Sequence, residues 1–174
     1  MTDQVTSNSS DNNAYMRAAL ALANKSTPRS TNFGVGAILL NESKNEVIAT
    51  GYTLELTGNT HAEECCFSKA MDQLMDPMHD RRLSLTDRVV LYSTMEPCNK
   101  RASGAFPCVD KIIQTELGSA GCKISKVYVG VQEPDIFVGA NEGKKRLEGA
   151  HIEYVHVPGF ESEILEVATR GHHA

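Results

Sequence analysis

The period of apolar and polar positions switches repeatedly between helical and strand-like along the chain. Tyr15, Ala18, Ala19, Leu22 and Ala23 recur at helical spacing, and that helix must end before Pro28. Phe33 to Leu40 is an apolar, strand-competent run, Asn41 to Asn45 is a turn, and Glu46 to Thr53 returns as a second strand, which predicts a hairpin. Thr60 reads as a helix cap with Glu63 as the third helical residue, a capping-box pattern. The helix it opens runs through His61, Cys65 and Ala70 towards Leu74. Asp76 to Thr86 reads as a loop. Arg88 to Thr94 is a buried-strand candidate leading straight into Met95-Glu96-Pro97-Cys98. A second loop, Asn99 to Phe106, leads to Pro107 at the start of a helix through Val109, Ile112 and Ile113. Lys126 to Val131, Asn141 to Leu147, His151 to Val157 and Glu161 to Thr169 complete the pattern as strand, helix, strand and helix.

The order α-β-β-α-β-α-β-α-β-α predicts a three-layer α-β-α domain with a mixed five-stranded sheet. A helix between the last two strands lets them run parallel. The chain has 174 residues, enough for one core, and we expect a disordered tail over 1–13 and one domain over 14–174. The tail, polar and without a basic residue, is neither a secretory signal nor a transit peptide, and no apolar run approaches a membrane span. The expected location is therefore cytoplasmic. A formal net charge of −5 argues against a protein that lives on a phosphate backbone. A small phosphorylated molecule needs only two or three cations.

Five cysteines, two of them adjacent, do not suit a disulfide framework. Cys65, Cys66 and Cys122 have small or apolar neighbours and read as core. Cys98 and Cys108 differ, because each follows a proline after a predicted strand or at a predicted helix start. With His61 they make an imidazole-plus-two-thiolate set, a catalytic zinc site whose fourth position is left to water of lowered pKa. Glu63 lies two residues from His61, about 200° round a helix, so it cannot share the metal with His61 but can reach over the water. That arrangement suits hydrolytic deamination: water attacks a ring carbon bearing an amino group, and the carboxylate carries protons to the ring nitrogen and the departing amine. The cysteines stand further apart than in the generic His-x-Glu…Pro-Cys-x-x-Cys signature, with a loop between them.

Three stretches carry a resemblance: Asn32-Phe-Gly-Val-Gly-Ala37, His61-Ala-Glu-Glu-Cys-Cys66, and Thr94-Met-Glu-Pro-Cys-Asn-Lys-Arg-Ala-Ser-Gly-Ala-Phe-Pro-Cys-Val109. In them the chain resembles the riboflavin-biosynthesis deaminases of the cytidine/deoxycytidylate deaminase superfamily, which have such a Pro-Cys…Pro-Cys insertion. It looks closest to the fungal enzymes that act on 2,5-diamino-6-ribitylamino-4(3H)-pyrimidinone 5′-phosphate. The resemblance implies a cytidine-deaminase-like fold, one zinc ion on His61, Cys98 and Cys108, Glu63 as the proton shuttle, and loss of the 2-amino group as ammonia. It also implies a homodimer, and a separate reductase for the next step, since bacterial relatives fuse one to the deaminase. Asn32 is expected to bind the ribityl or ring face and Gly58 and Asn59 to shape the wall. Asn99, Lys100, Arg101 and Ser103 are expected to lie over the pocket mouth, with Lys100 and Arg101 on the phosphate.

Other readings stand beside this one. Cys65, four residues after His61, can supply a fourth ligand to a closed structural zinc site, giving a binding module without catalysis. A nucleic-acid or free-nucleotide deaminase uses the same chemistry, although base stacking wants aromatics, and the chain has no Trp. Gly34 and Gly36 read as close-packing positions, and His172 and His173 receive no role.

Overall fold

The computed structural model describes residues 9–79, 82–134 and 141–172. Its elements follow the predicted order: α1 (Ser9–Ala23), β1 (Gly36–Asn41), β2 (Glu46–Tyr52), α2 (Ala62–Met75), β3 (Val89–Met95), α3 (Cys108–Gln114), β4 (Ile124–Val131), α4 (Gly143–Gly149), β5 (Glu153–His156) and α5 (Glu161–Ala168). The first helix starts earlier than its apolar pattern indicates. Residues 9–13, expected in a disordered tail, are helical, while residues 1–8 lie outside the described residues. The reason is a polar anchor: Tyr92 Oη, from the middle of the sheet, donates to Asn12 Oδ1 at 2.7 Å, and Asp11 complements the positive end of the helix.

The strands form one sheet in the order β2-β1-β3-β4-β5. β1 runs antiparallel to both β2 and β3, and β3, β4 and β5 run parallel. Strand alternation divides the core into two layers. Ala37, Leu39, Leu91, Val127 and Val129 point to the side covered by α2, α3 and α4. Ile38, Leu40, Val90, Tyr92 and Tyr128 point to the side covered by α1 and α5. This is the three-layer α-β-α arrangement expected. Gly36 packs as read from the sequence: a Cβ there would fall 1.9 Å from Ala19 O, so α1 lies against β1. No described helix is long and apolar enough to cross a membrane.

Candidate metal centre and pocket

Gly51 fixes where the site begins. A Cβ at this β2 position would lie 2.2 Å from Ala62 O and 2.7 Å from Cys66 N, so glycine lets the first turn of α2 settle onto the strand. His61 is the N-cap of that helix, in extended conformation at φ −87° and ψ 161°. The capping box is therefore one residue later than the expected Thr60–Glu63 pair. Glu64 accepts from the His61 N–H at 2.8 Å, and Thr60 Oγ1 donates to Leu56 O instead. The physical reason is burial: Glu63 is 3% exposed and faces inward, so the more exposed Glu64 is the carboxylate able to turn back. The shift leaves Glu63 without a capping task.

Cys98 enters from the end of β3, and Cys108 opens α3, its N–H donating to Cys98 Sγ at 3.4 Å. His61 Nδ1 stands 3.5 Å from Cys98 Sγ and 3.4 Å from Cys108 Sγ. Ligands at zinc–nitrogen and zinc–sulfur bond lengths in a tetrahedron are separated by about 3.6 Å, so the donor set already has the spacing one zinc ion requires. Among the described residues these three are the group whose ligand atoms converge, all within 4.8 Å of one another. Cys65, the alternative fourth ligand, is fully buried in the core and outside the group. Hydrogen bonding from Cys108, helped by the His61 ring, pulls the Cys98 thiol well below its ordinary value, while the same sharing pushes Cys108 up. One thiol of the pair is thus primed as a thiolate, the form that binds metal.

Glu63 reaches the same point from α2. Its Oε2 lies 3.4 Å from Cys108 Sγ and its Oε1 3.4 Å from Ser93 Oγ. Burial raises its pKa, with His61 opposing. A cavity opens over these groups. Of the residues expected around it, Asn32, Asn59, Lys100, Arg101 and Ser103 line it; Gly58 and Asn99 do not. Asn99 Oδ1 accepts from Arg146 at 2.9 Å, and Gly58, at φ 96°, sets the turn that leads to Asn59. Asn32 Nδ2 donates to Asn59 Oδ1 at 2.8 Å, joining the loop before β1 to the loop after β2. The Arg101 side chain is 4% exposed, with its guanidinium on Glu64 at 2.7 Å and on Asn59 O at 2.5 Å. Burial works against the Glu64 charge, but Lys111, the His61 N–H and Arg101 hold that carboxyl at about 2. Arg101 thereby ties the loop over the pocket to the helix that carries His61 and Glu63. Lys100 is exposed and has no such partner among the described residues.

Sequence reasoning missed two contributors. Glu133, two residues past β4, lines the cavity; burial, and then the negative charge on Cys98, raise its pKa. His172 was given no role, yet its Nε2 lies 2.9 Å from Asn32 O and its ring packs on Phe33, another lining residue, at 5.1 Å. A Cβ on Gly171 would fall 2.3 Å from the Arg29 backbone, so this end of the chain presses on the loop that forms the wall. His172→Ala is expected to raise KM by about two- to tenfold, the worth of one hydrogen bond, with kcat and zinc content unchanged and His172→Gln restoring it. Steady-state kinetics check this, and an equal fall in kcat would contradict it.

Residues 9–130 match the family described as the cytidine and deoxycytidylate deaminase zinc-binding region. The chain belongs to this family. Zinc is accordingly its cofactor, and the donor set fits one ion. A Schizosaccharomyces pombe protein described as a diaminohydroxyphosphoribosylamino-pyrimidine deaminase is 39% identical over 158 residues, which are 91% of this chain. They are only 35% of that protein, so the chain spans about a third of it. The crystal structure of Aspergillus oryzae Rib2 deaminase, a C-terminal deletion mutant, at pH 4.6 is 46% identical with a TM-score of 0.81, covering 93% of this chain and 92% of that one. The same deaminase in complex with DARIPP is 44% identical with a TM-score of 0.77 over the same shares. The fold is the cytidine-deaminase-like one that the element order and the resemblance predicted.

Proposed function

We propose that the chain is a hydrolytic deaminase of riboflavin biosynthesis. It converts 2,5-diamino-6-ribitylamino-4(3H)-pyrimidinone 5′-phosphate and water to 5-amino-6-ribitylamino-2,4(1H,3H)-pyrimidinedione 5′-phosphate and ammonia. The observation that carries the reading is the buried Glu63 carboxylate beside the His61, Cys98 and Cys108 donors, with the long inter-cysteine loop closing over them. The likeness to a deaminase solved with DARIPP supports the substrate class. A cytoplasmic homodimer working beside a separate reductase belongs to the same proposal, the dimer and the reductase resting on the resemblance.

When bound, zinc on His61, Cys98 and Cys108 holds and acidifies the attacking water. Glu63 takes that water's proton as the water oxygen bonds to C2, and delivers it to ring N1. It then moves the second proton to the 2-amino group, the C2–N bond breaks, and ammonia leaves. A carboxyl whose pKa is raised by burial suits a group that must accept and release protons near neutral pH. Cys98 and Cys108 anchor both ends of the 99–106 loop, and Arg101 holds its middle onto Glu64 and Asn59, over the ring. Asn32 and Asn59 meet the ribityl hydroxyls. Lys100 meets the phosphate, while Arg101, whose two terminal nitrogens are taken by Glu64 and Asn59 O, holds the loop.

Ammonia release tests the reading, measured on the phosphorylated intermediate, its dephosphorylated form, cytidine, dCMP and a tRNA hairpin. The phosphorylated intermediate is expected to be turned over fastest. Lys100→Ala is expected to weaken it about 10- to 100-fold, the worth of a hydrogen bond to a charged group, and to leave the dephosphorylated form unchanged. Faster release from dCMP or the hairpin would replace this substrate with a nucleotide or nucleic acid. Equal losses on both forms would take Lys100 off the phosphate.

A further inference from the structure

Three carboxyl groups, Glu63, Glu96 and Glu133, line the cavity, and the reaction as derived uses only Glu63. Glu96 serves as an acceptor for the Glu133 backbone, and Glu133 itself is held as firmly as a binding group needs to be. Its N–H donates to Glu96 Oε2 at 3.3 Å, and Pro134 after it restricts its backbone to extended conformations. Its Oε2 accepts from Asn141 Nδ2 at 2.7 Å. Asn141 cannot turn its amide over, since its Oδ1 accepts from the Gly143 N–H at 2.6 Å and its Nδ2 also donates to Pro97 O at 2.9 Å. Glu133 must therefore give Asn141 an acceptor. Among the described residues no donor reaches the other oxygen, Oε1.

We infer that Glu133 is a specificity residue of this site, its carboxyl accepting a hydrogen bond from the ring N–H beside the carbon that loses its amino group. The inference rests on the function proposed above and deepens it. The topology supplies the geometry. Cys98 follows β3; α2, with Glu63, packs on β1 and β2 to one side of it, and Glu133 follows β4, the neighbour of β3 on the other side. A ring placed with C2 at the metal is flanked by N1 and N3. Glu63 must reach N1, the nitrogen without a proton. N3, which carries the proton of the 4(3H) form, then faces β4 and Glu133. The ribityl chain leaves from C6, next to N1, and so runs towards Asn32 and Asn59, which lie in the loops before β1 and after β2. All three assignments agree on one orientation.

This explains how the site tells its substrate from cytosine. With the amino-bearing carbon of cytosine at the same point, the position facing Glu133 is a C–H. The carboxyl oxygen would be desolvated against it and left unpaired. Sites built to bond a substrate N–H reject analogues lacking it by up to about 10⁴–10⁵-fold.

The test compares the zinc-loaded wild type with Glu133→Gln. Glutamine has one amide oxygen, which Asn141 requires, so its NH₂ must face the ring N–H, donor against donor. kcat/KM for the phosphorylated intermediate is expected to fall at least about 100-fold with zinc content and Tm retained. Two small competitive probes separate recognition from support: isocytosine, which carries the ring N–H, and 2-aminopyrimidine, which has an acceptor nitrogen there. Glu133→Gln is expected to lose affinity for isocytosine and gain it for 2-aminopyrimidine. A purely supporting role would weaken both alike, and an unchanged ratio of the two affinities would overturn the inference. If Glu133→Gln does not fold, Glu133→Asp, which keeps both acceptors, is measured; it must retain the isocytosine preference. Absence of ammonia release in the wild type would sink the proposed function instead, which keeps the two failures apart.

Discussion

Glu63→Gln is expected to keep zinc, fold and substrate affinity while releasing ammonia at least about a thousandfold more slowly. The carboxylate sits 3.4 Å from Cys108 Sγ, is 3% exposed, and is free of the capping bond, which belongs to Glu64. An amide of the same shape fills that space and removes a buried charge, so nothing in the packing opposes the change. What it cannot do is accept a proton and pass it on, first to the ring nitrogen and then to the leaving amine. General acid–base catalysis is worth about 10²–10⁴-fold, and one group serving two transfers belongs at the upper end. Zinc content, substrate affinity and ammonia release are measured on one preparation. A fall in release of less than about tenfold, with zinc and affinity intact, would remove Glu63 from the mechanism.

The parts of this molecule that sequence revealed are those where chemistry or period acts locally. β1 and β3 are apolar on both faces because both are covered by helices, and such runs stand out against the charged loop at Asp76 to Thr86. His61, Cys98 and Cys108 were legible because imidazole and two thiols in this order have few other uses, and the structure places their ligand atoms together. The failures have a common cause. The choice between Glu63 and Glu64 as the capping carboxylate depends on which face of α2 is buried, set by Gly51 on another strand. The early start of α1 depends on Tyr92, and the place of Arg101 on Glu64 and Lys111, contacts between residues far apart in sequence. Glu133 and His172 lie outside every motif. One faint signal for Glu133 was its position just after a buried parallel strand, where α/β sheets gather their ligands at the carboxyl ends.

Replacing either metal cysteine is expected to weaken zinc binding at least about a hundredfold, whereas Cys65→Ser is expected to leave one zinc per chain. Losing a partner behind a ligand already costs about 10–100-fold in metal affinity, and a lost direct ligand must exceed that. Serine cannot compensate: its hydroxyl is not deprotonated near neutral pH, and the bases in contact with Cys98 and Cys108, His61 and Glu63, are both needed at the site. The loss should also be felt in stability, because the three donors join the start of α2, the end of β3 and the start of α3. Cys98→Ser and Cys108→Ser should therefore melt at a lower temperature than the zinc-loaded wild type, and added chelator should bring the wild type down towards them. Cys65 is the control with a different physics. It is fully buried in α2, so a serine there loses apolar contact, while its hydroxyl can bond back to the carbonyl one turn earlier, His61 O. Its cost is a modest drop in stability with metal retained. Metal analysis after dialysis against a weak chelator, with melting curves on the same samples, separates the cases. If Cys65→Ser lost zinc as readily as Cys108→Ser, the site would have four protein ligands and no place for water, and the hydrolytic mechanism would fall with it.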